Sequence, residues 1–116
     1  MAHPTDEIIR AMHSPTAKDT EVIRDAYDFA EKAHGEEKRK SGEPYIIHPR
    51  AIAITLAKLG MDRDTIVAGI LHDTIEDAGV AAVTIEEQFG LEVLTLVEGV
   101  TKLGALRYRG MERHTE

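Results

Sequence analysis

An all-α helical bundle is the fold class this sequence predicts, and three observations predict it. Aromatic residues make up 4% of the 116-residue chain and Trp is absent, so any core must be built from Ala, Ile and Leu. Apolar residues recur at helical spacing through most of the chain. Gly and Pro fall between those periodic runs, as punctuation. With 42% hydrophobic residues the chain suits one domain around a single core.

Taken in order, residues 1–18 form a loosely patterned lead-in, where Ile8, Ile9 and Met12 suggest a short helix before Ser14-Pro15 breaks it. Asp19 is a suitable cap for the next helix. Val22, Ala26, Phe29, Ala30 and Ala33 then make one apolar stripe, and the helix should end near His34-Gly35. Residues 35–47 are charged and contain Gly42 and Pro44, so they read as a loop. Pro49 suits a first helical turn, which predicts a helix from Pro49 to Leu59, stopped by Gly60, with His48 at its mouth.

Asp62 or Asp64 can cap the following helix, which turns Ile66, Val67, Ile70 and Leu71 inward and reaches His72-Asp73 at its far end. If it runs on to Asp77, with Gly79 as its stop, His72 and Glu76 share one row and Asp73 and Asp77 the next. Thr84 and Glu87 have capping-box spacing, and Gly90 closes the short helix they open. A last amphipathic helix carries Leu91, Leu94, Val97 and Leu103, flanked by Leu96 and Val100. Beyond Leu103 the pattern decays, so residues 104–116 are expected to fray or to be cut from something longer.

Charge and composition exclude several function classes. A net charge of -7 disfavours a nucleic-acid or anionic-membrane binder, because phosphate backbones reward clustered Lys and Arg. No Cys is present, so disulfides, thiolate metal sites and cysteine nucleophiles are absent and metal chemistry is confined to N and O donors. The amino terminus lacks a basic and apolar leader, and no run approaches the ~20 apolar residues that span a bilayer, which together read as cytoplasmic.

The chemistry concentrates in His48, His72 and Asp73. In an antiparallel pair joined near Gly60 to Asp62, the start of one helix and the end of the next lie at the same level, so one metal ion can be shared. Two imidazoles and a carboxylate suit Mn, Fe, Co or Mg better than a structural zinc site. A charged loop is ordinarily only solvated surface, but Arg39 and Lys40 stand in the densest basic cluster of an acidic chain.

Four ordered stretches then carry a resemblance. Arg39-Lys40-Ser41-Gly42-Glu43-Pro44-Tyr45-Ile46-Ile47-His48-Pro49, Ala68-Gly69-Ile70-Leu71-His72-Asp73-Thr74-Ile75-Glu76-Asp77, Phe89-Gly90 and Leu96-Val97-Glu98-Gly99-Val100-Thr101-Lys102-Leu103 resemble the amino-terminal hydrolase domain of RelA/SpoT-type stringent-response enzymes. That family belongs to the His-Asp (HD) phosphohydrolases, all-helical and metal-dependent, and the resemblance places the domain over residues 19–103. It implies hydrolysis of the 3′-pyrophosphate of (p)ppGpp with Mn²⁺ as the ion. It further implies His48, His72 and Asp73 as metal ligands, Glu76 and Asp77 as the acidic pair at the attacking water, and Arg39, Lys40 and Ser41 at the nucleotide.

The sequence also departs from that family. Gly35 is followed by Glu36-Glu37 instead of Gln, which adds negative charge near the phosphate loop. His34 matches the family's Ala-His pair and is expected to pack or to support a ligand instead of ligating. The family's fourth ligand is an Asp of a later helix, and no Asp follows Asp77 here. The expectation is therefore an incomplete front portion of the domain, impaired in activity or serving as a nucleotide- or partner-binding fragment, and prone to self-association through an exposed apolar helix face.

Overall fold

The computed structural model describes residues 3–35 and 42–99, and every regular element among them is a helix. The order is α1 (Asp6–Ala11), α2 (Ala17–His34), α3 (Ile47–Lys58), α4 (Arg63–Leu71), α5 (Thr74–Asp77) and α6 (Ala82–Phe89), followed by a helical stretch over residues 91–99. The all-α class expected from composition and period is the class observed. The terminal segment beyond Leu103 lies outside the described residues.

The fold is built on α4. Ile66, Val67, Ala68, Gly69, Ile70 and Leu71 are all buried, so this helix is apolar on every side, the pattern of an element enclosed by others. It packs against both α2 and α3, while α1 lies on α3 and α5 on α2. The face of α2 that meets it is Ile23, Ala26, Tyr27, Ala30 and His34, with Val22 and Phe29 half-buried at the margin. The expected stripe is therefore rotated by about one residue, with Tyr27 and His34 inside it.

Several boundaries move, each for a local reason. Thr16, and not Asp19, caps α2: its side chain accepts from Asp19 N at 3.0 Å, and the Asp19 carboxylate accepts from Thr16 N at 3.0 Å. That is a capping box with Asp in the returning position. α3 starts at Ile47, earlier than Pro49, because the amides of Ile47 and His48 bond to Pro44 and Tyr45 carbonyls, and Pro49 lacks an N–H where none is required. Asp62 caps α4 through Thr65 N at 2.9 Å. Ala81, and not Thr84, is the cap position of α6, and it makes no side-chain bond.

The α3–α4 connection is a tight reversal. Gly60 (φ 79°) follows the end of α3, with Gly60 N donating to Ala57 O and Met61 N to Leu56 O, the paired bonds of a Schellman motif. Gly69 then lets the two helices approach closely, since a Cβ there would lie 2.7 Å from Leu56 Cδ1. In the last helical stretch Val93, Leu94 and Val97 enter the core, whereas Leu91 stays 61% exposed and Leu96 37%.

Candidate metal centre

The α4 helix does not run on to Asp77. It ends at Leu71, and Asp73 opens the four-residue α5. Side chains satisfy two carbonyls that a continuing helix would have used: His72 Nδ1 contacts Gly69 O at 2.7 Å, and Thr74 Oγ1 donates to Leu71 O at 2.7 Å. His72 and Asp73 consequently sit in the turn, not on a helical row with Glu76 and Asp77. Those two residues lie in α5, with their side chains outside the described part of the structure.

The hairpin brings the first turn of α3 to this turn. One ligand-type atom each from His48, His72 and Asp73 lies within 4.8 Å of the others, and the two imidazole rings are 5.7 Å apart. His72 and Asp73 side chains are 15% and 18% exposed, shielded but reachable from solvent. The three residues singled out in the sequence thus meet in one place. Arg39, Lys40 and Ser41 lie outside the described residues.

The donor set fits a cation on its own chemistry. A carbonyl can only accept, so His72 Nδ1 carries the hydrogen in its bond to Gly69 O. In the neutral ring Nε2 then presents a lone pair, and it faces Asp73 Oδ2 at 3.1 Å. Two acceptors at that distance need a shared cation between them, either a proton or a metal ion. Burial pushes the Asp73 carboxyl up, but the hydrogen bond and charge of His72, the Tyr45 hydroxyl and His48 together outweigh it and hold the group below the usual carboxylate range.

Two further residues complete the surroundings. Tyr45 donates its hydroxyl to Asp73 Oδ2 at 3.0 Å, and its ring stacks on His34 with centroids 4.3 Å apart. His34 is 3% exposed and lies outside the three-residue cluster, consistent with a packed, supporting place. The bond from Tyr45 to Asp73 and the Gly69 carbonyl under His72 were not anticipated; in the sequence Tyr45 is marked by its place in the stretch that carries the resemblance, three residues before His48. An apolar hollow of about 200 Å³ lies beside His72, lined by Ile52, Leu56, Ala68, Gly69 and Leu96 among others. A larger one of about 510 Å³ lies between α2 and the end of α6 and includes none of the cluster.

The chain is similar over most of its length to several known proteins. The guanosine-3′,5′-bis(diphosphate) 3′-pyrophosphohydrolase of Aquifex aeolicus is 50% identical over 104 residues, covering 90% of this chain and 15% of that protein. The bifunctional (p)ppGpp synthase/hydrolase SpoT of Escherichia coli is 47% identical over 87 residues, 75% of this chain and 12% of its own length. A probable GTP pyrophosphokinase of Mycobacterium leprae is 50% identical over 82 residues, 71% of this chain and 10% of its own. The chain therefore spans between 10% and 15% of the length of these curated relatives. The HD domain family model matches residues 26–115, a span that contains His48, His72 and Asp73, and the chain belongs to the HD domain family.

Proposed function

We propose that this chain is the metal-binding part of a phosphohydrolase that removes the 3′-pyrophosphate of (p)ppGpp, giving GDP or GTP and pyrophosphate. The observation that carries the reading is the meeting of His48, His72 and Asp73 donor atoms within 4.8 Å, in a chain 50% identical to a protein named for that reaction. His48, His72 and Asp73 hold the ion; this N/O donor set suits Mn, Fe, Co or Mg, and Mn²⁺ is the one that the resemblance to the RelA/SpoT-type hydrolases implies. When bound, such an ion lowers the pKa of water and neutralises charge on phosphoryl oxygens.

The remaining roles fall to the chain's own side chains. Glu76 and Asp77 orient the attacking water and accept its proton as its oxygen bonds to phosphorus and the bond from phosphorus to the 3′ oxygen breaks, and the proton is returned to that oxygen, which leaves as the 3′ hydroxyl. Arg39 and Lys40 bind the phosphates with Ser41 beside them, supplying locally the positive charge that a chain of net charge -7 lacks overall. Among the described residues no helix is long and apolar enough to cross a membrane, and a cytoplasmic guanosine nucleotide pool suits such an enzyme. Self-association through the apolar surface of the last helical stretch, where Leu91 and Leu96 are exposed, belongs to the same reading.

A second reading is a catalytically incomplete module that binds guanosine nucleotides or a partner. It is favoured by the relatives named GTP pyrophosphokinase, at 50% and 49% identity, whose names do not describe a hydrolase. Manganese-dependent pyrophosphate release from (p)ppGpp separates the two. The first reading expects release by the parent and a loss of about 100-fold or more in Glu76→Gln/Asp77→Asn, with Mn²⁺ binding retained. Nucleotide binding without release establishes the second.

A further inference from the structure

Tyr45 joins two parts of the fold that are far apart in sequence. Its hydroxyl reaches Asp73, 28 residues further on, at 3.0 Å. Its ring lies on that of His34, with centroids 4.3 Å apart and planes inclined by 24°. His34 is the last residue of α2 and is 3% exposed, so the surface under the tyrosine ring is fixed by the core. The hydroxyl is therefore held at Asp73 by a residue just before α3 whose ring rests on the end of α2, independently of the turn that carries Asp73 itself.

That independence has a chemical consequence. A carboxylate on a short turn can rotate about its Cβ–Cγ bond, and only a partner anchored elsewhere fixes the direction of its lone pairs. Here the Oδ2 that accepts from Tyr45 also faces His72 Nε2. We propose that Tyr45 is a positioning residue: held by its stack on His34, it orients the Asp73 carboxylate toward His48 and His72 and so sets the affinity of the cluster for a divalent ion. The inference rests on the metal-binding reading above. Partners that orient metal ligands in this way are commonly worth about 10- to 100-fold in affinity.

The test is calorimetric titration of the 116-residue chain with Mn²⁺, alongside Tyr45→Phe, Tyr45→Leu and His72→Ala. Phe keeps the stack and removes only the hydroxyl; Leu removes both. Tyr45→Phe should bind Mn²⁺ about 10-fold more weakly than the parent. The rise in melting temperature produced by Mn²⁺ should shrink in parallel. Half-maximal pyrophosphate release should require correspondingly more Mn²⁺, with the rate at saturating Mn²⁺ little changed, because the residue acts on the ligand and not on the substrate. If Tyr45→Phe binds Mn²⁺ as tightly as the parent while Tyr45→Leu and His72→Ala do not, the ring is only packing and the proposal is overturned. If His72→Ala also binds like the parent, the metal reading has failed and the inference falls with it.

Discussion

The behaviour of single residues here is decided by which partner each hydrogen bond selects. The Gly69 carbonyl fixes a ring hydrogen of His72 on Nδ1 and turns Nε2 toward Asp73. Asp62 illustrates the same logic at a helix start. Bonds from Thr65, its hydroxyl first and its backbone amide second, hold the Asp62 carboxyl below its usual range. Asp62→Ala should therefore cost about 1 kcal/mol, read by urea unfolding at neutral pH. The sign with pH follows from a lowered folded-state value: the contribution is complete above the unfolded carboxylate range and disappears as pH falls through the folded value. The deficit of Asp62→Ala should accordingly shrink on acidification, and a deficit constant with pH would contradict this account.

Residue types were legible where chemistry restricts the choice. His48, His72 and Asp73 were legible because a hairpin would bring the two helix ends that carry them level, and because they fall in the stretches that carry the family resemblance. Tyr45 did not, because its bond to Asp73 depends on the α3–α4 reversal and on the stack against His34, neither of which is a local property. The caps were misplaced where two candidates stood three residues apart, as with Thr16 and Asp19, since both side chains take part in the box.

Among the elements, α4 is the one around which the others are placed, and Gly69 sets its distance from α3. Glycine within a helix costs about 1 kcal/mol relative to alanine, so Gly69→Ala would stabilise the helix if space allowed. Space does not allow it, because the new Cβ would lie 2.7 Å from Leu56 Cδ1 and 3.3 Å from Ile52 Cγ2. The leucine tip can shift, but the β-branched Ile52 on a helix is stiff, and overpacking of this kind typically costs about 1–3 kcal/mol. Gly69→Ala should therefore be destabilised on balance, and it should bind Mn²⁺ more weakly as α3 moves His48 away from His72. A more stable variant with unchanged Mn²⁺ affinity would show that the approach is not tight.

The apolar periods made the helices themselves legible, down to the reversal at Gly60. The break at His72-Asp73 was not, because Leu71-His72-Asp73-Thr74 contains no Gly or Pro. The helix is ended there by His72 and Thr74 side chains taking backbone carbonyls, which propensity alone does not reveal.

At the scale of the whole molecule, the chain folds so that one reversal does most of the functional assembly. The α3–α4 hairpin, held on one side by α2 and capped below by Gly60, returns residues 72 and 73 to the level of residue 48. The amino-terminal segment braces this arrangement: Ile8 is fully buried, Arg50 of α3 donates to Pro4 O at 2.8 Å, and His3 Nε2 pairs with Asp28 of α2 at 3.0 Å. These ties explain why residues before α2, loosely patterned in sequence, are nevertheless part of the packed body. An excess of acid over base, 21 against 14, leaves the surface negative, which favours attraction of a divalent cation to a half-buried carboxylate.

The central claim is that His48, His72 and Asp73 form one divalent-metal centre. Calorimetric titration of the parent chain and of His72→Ala with Mn²⁺, under identical buffer and salt, tests it most directly. The account predicts a single site in the parent and, in His72→Ala, affinity lower by about 10-fold at the least, since a lost ligand should cost no less than a lost supporting bond. Equal affinity in the two proteins would contradict it.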